Sequence, residues 1–292
     1  MVDIAAIQPR TAPGRLSKLR RFAWRNPVMV FALLLFAAMI LVSAFAPLIS
    51  SFDPVQIDPG ERLKPPSWEN LFGTDAFGRD VFTRTLYGGR VSLAVGAAVA
   101  ILTTVIGLTI GMLSGYLRAI DPMVMRVMDG IMAIPGVLLA IAIMSVTKAS
   151  IGTVIFAITI AEVPRMVRVV RSAVLTIREQ PYIDAAIATG TRLHRLLLKH
   201  IMPNALAPVI VQATFVFASA VIIEAYLSFL GAGTPPEIPS WGNIMAEGRS
   251  LALLAIWVIL FPGLFLGLMV LATNLLGDSL RDMLDPRMRG RK

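Results

Sequence analysis

Long apolar runs separated by polar segments form the main pattern along this chain. Val28–Ile49 contains twenty-two residues without a charge. At about 1.5 Å per residue, a helix of that length crosses the ~30 Å hydrocarbon core of a bilayer. Five further runs follow, at Val91–Gly115, Ile131–Thr147, Ile151–Val170, Ala205–Leu230 and Leu251–Leu276. The pattern predicts an all-α membrane protein with six transmembrane helices.

Two of these runs need a separate argument. A basic segment precedes Val28–Ile49, and Ala44-Phe45-Ala46 is similar to a signal-peptide cleavage site. The run is longer than the roughly 7–15 apolar residues of a signal peptide, so we expect an uncleaved first span. Ile131–Thr147 is short, and Pro135-Gly136 interrupts it. Membrane helices tolerate such a break where neighbouring groups satisfy the freed backbone, so we expect a span here as well.

Composition supports a polytopic membrane protein. Hydrophobic residues make up 56% of the 292 residues, charged residues make up 15%, and the mean hydropathy is +0.75. A soluble domain with a polar surface does not reach these values. The net charge of +9 raises the question of nucleic acid. The basic residues lie between apolar spans rather than on one folded face, so we expect membrane lipid and no nucleic acid as a partner.

The chain offers little of the chemistry of an enzyme or a metalloprotein. It has no cysteine, and its two histidines, His194 and His200, lie in one polar segment. A thiolate metal site is therefore unavailable, and a zinc site is not expected. No G-x-x-x-x-G-K-[ST] motif occurs, so the chain has no phosphate-binding loop for ATP. We expect no catalytic residue, no metal and no cofactor in this chain.

The distribution of Lys and Arg predicts the orientation in the membrane. With the N-terminus inside, the cytoplasmic segments carry 20 of the 27 basic residues and the outer segments carry 7, as the positive-inside rule requires. Both termini are then cytoplasmic. The predicted segments are a basic N-terminus (1–27), a first helix (28–50), an extracytoplasmic loop (51–90), a transmembrane core (91–276) with a cytoplasmic loop (178–203), and a cytoplasmic tail (277–292).

The cytoplasmic loop, Arg178–Pro203, is a polar and basic interruption between two apolar runs. Pro181 suits the first turn of a helix, where it loses no hydrogen bond, and Gly190 suits the end, where it can take a positive φ. Thr191 could then cap a second helix. Ala185 and Ala186 present almost no side chain beside Asp184. The sequence thus predicts two short helices, the first of which lets another protein come close.

The second helix of this loop is predicted to be amphipathic. Four apolar residues fall on one face and three basic residues on the other: Leu193, Leu196, Leu197 and Ile201 against Arg192, Arg195 and Lys199. Such a helix is typical of a membrane surface, with its basic face toward anionic headgroups or a partner.

The order Asp184-Ala185-Ala186, Gly190 and Ile201-Met202-Pro203 resembles the EAA loop of permease subunits of ABC importers. Asp184 stands where the family often has Glu, and Met202 where it often has Leu. In that family the loop docks into a cleft on a cytoplasmic ATPase. The resemblance implies an ATPase-coupling role for six residues: Tyr182, Asp184, Ala185, Ala186, Gly190 and Pro203.

Three other stretches resemble the C-type permease of dipeptide, oligopeptide and nickel importers. The first is Phe72–Leu93, in which we expect Gly88 and Gly89 to break the helix. The second runs from Glu224–Gly231 to Pro239-Ser240-Trp241-Gly242. The third is the C-terminal stretch from Asn274 to Arg287.

The resemblance implies a type I ABC importer fold, with a first helix and a five-helix core. It further implies a second, homologous permease, two cytoplasmic ATPases that bind the ATP, and an extracytoplasmic binding protein. The implied cargo is a small peptide, with nickel chelates or glutathione as other candidates. The expected location is the inner membrane.

Two alternatives depend on ionisable groups within the membrane. A stand-alone gradient-driven carrier or channel would need paired carboxylates in mid-span, and the candidates are Glu162 and Glu224. Glu162 could pair with Arg165 or Arg168 by helical spacing, whereas Glu224 could face the pore or pack internally. A membrane-embedded hydrolase would need converging Asp, His or Ser residues in mid-membrane, and none is visible.

Overall fold

The structure is a computed structural model that describes residues 24 and 26–284. Ten helices are labelled in chain order: α1 (Pro27–Ala44), α2 (Ala46–Ile49), α3 (Val81–Tyr116), α4 (Asp121–Met132), α5 (Gly136–Val146), α6 (Ile151–Arg178), α7 (Pro181–Ala188), α8 (Leu193–Phe229), α9 (Trp241–Gly248) and α10 (Trp257–Leu284). Short 3-10 turns lie at Pro59–Glu61 and Arg249–Leu251. The expected all-α class is confirmed, because the described residues contain no strand beyond an isolated bridge between Thr74 and Asp80.

Helices lie at all six predicted apolar runs, but not all of these helices are long and apolar enough to cross a membrane by themselves. Four of them, α1, α3, α8 and α10, are long and apolar enough to cross a membrane. Helices α4 and α5 meet at an 84° bend and count as a fifth span if taken together. The bend lies at the predicted break, since Pro135 precedes α5. Helix α6 is as long as α10 but carries Glu162 and several arginines, so its polar groups need a non-lipid environment.

Close packing of α3 on α6 forms the centre of the core. Glycines spaced four apart on α3 face larger side chains spaced four apart on α6, in the pairs Gly107–Met166, Gly111–Val170 and Gly115–Val174. A Cβ atom added at Gly111 would lie 2.6 Å from the Cβ atom of Val170. Small residues at this spacing let two membrane helices approach closely.

The expected helix break at Gly88 and Gly89 is wrong, because both residues lie inside the uninterrupted helix α3. This helix begins ten residues before the predicted span, at Val81, where the Asp80 carboxylate accepts a hydrogen bond from the Thr83 N–H at 2.7 Å. A Cβ atom at Gly88 would lie 3.2 Å from the Trp241 nitrogen. The two glycines therefore serve close packing against α9, which outweighs the ~1 kcal/mol that glycine costs in a helix.

A buried ionic cluster, Asp75–Arg79–Arg84–Glu247, joins three segments at this end of the molecule. The Arg84 guanidinium donates to Asp75 at 2.5 Å and to both Glu247 oxygens at 2.5 and 2.9 Å. Arg79 reaches the same two acids at 2.7 and 2.5 Å. The side chain of Arg84 is only 2% exposed. The cluster thus fixes the segment before α3 against α9.

The stretch from Glu224 to Trp241 forms a second buried network beside this cluster. Glu224 is fully buried and accepts hydrogen bonds from Ser92 and Ser228, each at 2.8 Å. The Trp241 indole donates to the Thr85 carbonyl at 2.9 Å. Of the two roles left open for Glu224, the structure supports internal packing.

Side-chain hydrogen bonds hold the turn between α8 and α9, and Asn243 makes the most of them. The two N–H groups of the Asn243 amide are shared among the carbonyls of Thr234, Pro235 and Ile238, which lie 3.0–3.2 Å from its nitrogen. The motif residues of this turn therefore stabilise the fold locally.

Candidate functional site: the coupling loop

Helix α7 of the predicted loop begins and ends as its sequence indicates. Pro181 occupies the first turn, and Gly190 follows the helix with φ of 77°. The Gly190 N–H donates to the Ile187 carbonyl at 2.9 Å, and the Thr191 N–H donates to the Ala186 carbonyl at 3.1 Å. These two bonds form a Schellman motif, which satisfies the last carbonyls of the helix and favours glycine at the left-handed position.

One buried residue anchors α7 to the body of the protein. Ile183 is fully buried in an apolar cluster with Val174, Leu196, Leu197 and Ile201. On the next position of the helix the side chain of Asp184 is exposed, and so is Ala185. The helix is therefore held by one face and open on the other.

A hydrogen bond links the start of α7 to the second half of the loop. The Asn204 amide donates to the Tyr182 hydroxyl at 3.1 Å and to the His200 carbonyl at 2.7 Å. The Tyr182 side chain remains 43% exposed. Tyr182 thus belongs to the exposed surface while it sets the distance between α7 and α8.

The loop continues into the membrane span without a break, because α8 runs from Leu193 to Phe229. Its turns at Leu196–Ile201 widen to a π-helix just before Pro203. Proline has no N–H, and its ring would clash with the carbonyl four residues earlier in a regular α-helix. The wider turn removes that clash, so Pro203 does not separate the loop helix from the span.

The prediction that Thr191 caps this helix is wrong. Arg192 occupies the cap position, and no side chain makes a capping bond. Thr191 is instead the residue whose N–H closes the Schellman motif of α7. Because the glycine turn already uses this backbone, the second helix starts one residue later.

The predicted two faces of this helix are confirmed with one exception. Leu196, Leu197 and Ile201 are buried, and the three basic residues Arg192, Arg195 and Lys199 are exposed. Leu193 belongs to neither set, since it is 43% exposed. The apolar face packs on Ile183 rather than on lipid, which corrects the expectation of a helix on a membrane surface.

Two arginines of α6 bind the neighbouring helices α3 and α4 close to the loop. Arg178 donates to the Gly115 carbonyl at 2.9 Å, at the end of α3. Arg171 forms two hydrogen bonds with Asp121 at the start of α4, at 2.5 and 2.6 Å. These bonds join α6 to the end of α3 and to the start of α4, next to the loop.

The structure brings the six predicted coupling residues into one continuous stretch, from α7 to the start of α8. Asp184, Ala185, Gly190 and Pro203 are exposed, and Ala186 is half-buried. Ile183 and Asn204 were missed by the sequence analysis. The apolar Ile183 inside an otherwise exposed helix is a signal for an anchor, but nothing local indicates the bond from Asn204 to Tyr182.

Two family models match the chain. Residues 104–290 match the inner membrane component of binding-protein-dependent transport systems. Residues 18–66 match the N-terminal transmembrane domain of oligopeptide transport permease C.

Named relatives extend over nearly the whole chain. A probable peptide ABC transporter permease of Sinorhizobium fredii is 50% identical over 272 residues, which cover 93% of each chain. A dipeptide transport system permease, DppC, of Alkalihalophilus pseudofirmus is 42% identical and covers 91% of this chain and 88% of its own. The oligopeptide permease OppC of Bacillus subtilis is 37% identical, with coverage of 90% and 87%.

A solved structure supports the fold. The inward-facing MetNI methionine ABC transporter aligns with a TM-score of 0.58 at 21% identity, over 69% of this chain and 96% of that chain. At that identity the likeness concerns the fold, which is the type I importer fold that the sequence predicts. The chain therefore belongs to the family of inner membrane components of binding-protein-dependent transport systems, and within it to the C-type permeases of ABC importers.

Proposed function

We propose that this chain forms half of the translocation path of an ATP-driven importer for small peptides. A binding protein delivers the peptide from outside, and two ATPases drive the cycle from the cytoplasm. The chain is a transport subunit, not an enzyme. Support for a peptide as the cargo comes from relatives that are named as peptide, dipeptide and oligopeptide permeases.

The observation that carries the coupling role is the exposure of α7. Ala185 and Asp184 are open to a partner, while Ile183 holds the helix in place. Small side chains let the surface of another protein approach the helix backbone. The proposed partner is the ATPase, which supplies the phosphate-binding loop that this chain lacks.

The unbroken helix α8 would then transmit the movement of the ATPases from the loop to the membrane span. When the two ATPases close, they push on Pro181–Ala188. Because α8 runs unbroken from Leu193 to Phe229, a displacement at the loop tilts the whole span. Pro208 and Pro262 lie inside α8 and α10, where a missing backbone hydrogen bond lowers the cost of bending.

A second, homologous permease completes the path in this proposal. The charged groups of α6 support it, because the side chain of Arg165 is 56% exposed and that of Arg168 is 44% exposed. Charged groups within a membrane face water or another protein rather than lipid. This face of α6 would therefore line the path between the two permeases.

The proposed orientation places the coupling loop and both termini in the cytoplasm. It predicts that single cysteines at Glu69 and Thr191, introduced into this cysteine-free chain, differ in intact cells. An impermeant thiol reagent should label the cysteine at position 69 and not the one at position 191. Equal labelling of both would contradict the orientation.

The cargo is tested with the assembled importer in proteoliposomes. We expect ATP-dependent uptake of a radiolabelled dipeptide and competition by other peptides in excess. Uptake of a nickel chelate or of glutathione, with no uptake of peptides, would contradict the proposed cargo while leaving the coupling role intact.

A further inference from the structure

A cavity of about 300 Å³ lies where the bend between α4 and α5 meets α6 and α8. Pro135 lies at the bend, Glu162 and Arg165 come from α6, and Ser219 and Tyr226 come from α8. The volume is at the lower end of the range for small-molecule sites. One wall is thus apolar and another carries a carboxylate.

Glu162 is the most unusual group of this cavity. Its side chain is only 4% exposed. One carboxylate oxygen, Oε1, accepts a hydrogen bond from the Ser219 hydroxyl at 2.8 Å and one from Arg165 at 3.4 Å. Within the described part of the chain no hydrogen bond reaches the other oxygen, Oε2. A buried carboxylate therefore keeps an acceptor for a ligand.

The contact with Arg165 confirms the predicted pairing by helical spacing, but it is weak. At 3.4 Å it is longer than the 2.5–2.9 Å bonds of Arg84 with Glu247, and charge-assisted bonds are usually near 2.8 Å. It also joins two residues of the same helix, so it holds no elements together. The bond from Ser219 joins Glu162 to α8, but fold stability does not explain why Arg165 faces this cavity.

The position of Glu162 also points to the path of a solute. It lies eleven residues into α6, about 16 Å along the helix axis and near the middle of a ~30 Å hydrocarbon core. An acid at that depth is expensive to retain unless it faces a polar cavity or a partner.

We propose that Glu162 binds the ammonium group of a peptide in transit through this cavity. This inference rests on the proposed function, since it takes the cargo to be a peptide. An ammonium group has three donors and no acceptor, which matches a carboxylate with an open oxygen. Ser219 orients the carboxylate, and the apolar wall accepts different side chains.

Arg165 keeps the affinity of the site for the ammonium group low, as transport requires. Without cargo, its guanidinium partly neutralises Glu162. An arriving ammonium group takes its place at the carboxylate and leaves again when the path opens on the other side. Sites along a conduction path must bind well enough to admit the solute and weakly enough to release it.

The test uses the assembled complex of both permeases and the ATPases, without ATP and without the binding protein. A single cysteine at Ala161, which lines the cavity, reports occupancy through its rate of labelling by a small thiol reagent. The probes are alanyl-alanine and its N-acetylated form, at millimolar concentration. We expect the free dipeptide to slow labelling at least twofold and the acetylated form to leave the rate unchanged.

Variants in the same background identify the group responsible. Glu162→Gln should abolish protection by the free dipeptide, Ser219→Ala should weaken it, and the control Glu237→Gln, on an exposed turn, should retain it. Equal protection by both peptides, or full protection in Glu162→Gln, would overturn the inference. If Glu162→Gln does not assemble, the two peptides and Ser219→Ala still decide.

Uptake by the same preparation separates this inference from the proposed function. With ATP and binding protein added, peptide uptake without amine-dependent protection at Ala161 would exclude the Glu162 site alone. Absence of peptide uptake by the unmodified complex would contradict the proposed function itself.

Discussion

The two ends of this molecule differ in where their charged side chains lie and in what contacts them. At the end that carries α9, charged side chains are buried, and the partners of Arg84 and Glu224 come from the same chain. At the coupling loop, Tyr182, Ile187 and Leu198 are apolar or aromatic and remain more than 40% exposed. The charged groups of the first end are bonded within the chain, whereas the coupling loop presents an exposed apolar surface that a second protein can cover.

The physical chemistry of the two ends explains the difference. A buried ionic cluster is stable only if every charge has a partner with good geometry, since the cost of desolvation is several kcal/mol per ion. The coupling loop needs no internal ion pair, because Ile183 and the Schellman motif hold its shape. Changes at the first end should therefore affect stability, and changes at the second should affect transport.

The largest expected effect is that of Arg84→Ala. It leaves Asp75 and Glu247 with Arg79 as their one arginine partner and should lower the free energy of unfolding by up to about 3–5 kcal/mol. Thermal unfolding in detergent measures it, with Arg62→Ala as the control because Arg62 is exposed on the same segment. Equal stability of the two variants would contradict a stabilising role of the ionic cluster at the end that carries α9.

The second effect concerns the contact between α3 and α6. Gly111→Leu should cost about 1–3 kcal/mol through overpacking, since even a Cβ atom would lie 2.6 Å from Val170. Gly267→Leu on α10 is the matched control, as no atom lies within 4 Å of the position of its Cβ. A loss of stability in Gly267→Leu that equals or exceeds the loss in Gly111→Leu would refute the packing role of the α3 glycines.

Much of this architecture could be predicted from local sequence. The apolar runs predict the four helices that are apolar enough to cross a membrane and the bent pair α4–α5. Pro181 and Gly190 predict the two ends of α7, because each acts through its own backbone. The spacing of Gly107, Gly111 and Gly115 is equally visible in the sequence, and glycines four apart are a local signal for close packing of two membrane helices.

The other differences arise from contacts distant in sequence. Arg84 and Glu247 are separated by 163 positions, so no periodicity can indicate their pairing. Gly88 and Gly89 predict a helix break from propensity alone, but packing against α9 overrides that preference. The C-terminal signature beyond Leu284 and most of the basic N-terminus, 1–27, lie outside the described residues.

A third effect should appear in transport and not in stability. Ala185→Arg places a long cation on the exposed face of α7 and should weaken ATPase binding at least tenfold, about 1.4 kcal/mol, while thermal unfolding stays unchanged. Ala119→Arg is the control, because Ala119 is exposed in the turn after α3 near the same end. Normal uptake and ATPase capture with Ala185→Arg would exclude the docking role.

The smallest expected effect is that of Thr191→Ala. Removing a true capping side chain costs about 1 kcal/mol, but the Thr191 hydroxyl makes no hydrogen bond within the described residues. We expect a change within about 0.5 kcal/mol, as at ordinary surface positions. A loss of a full kcal/mol would indicate that Thr191 caps the helix after all.

The central claim is that this chain transports only by coupling to partners through its loop. Reconstitution in proteoliposomes tests it most directly, with the purified chain alone, with the second permease, and with both permeases and the ATPases. The account predicts peptide uptake only in the complete assembly with ATP and binding protein, and loss of that uptake with Ala185→Arg. ATP-independent, gradient-driven uptake by the chain alone would contradict it.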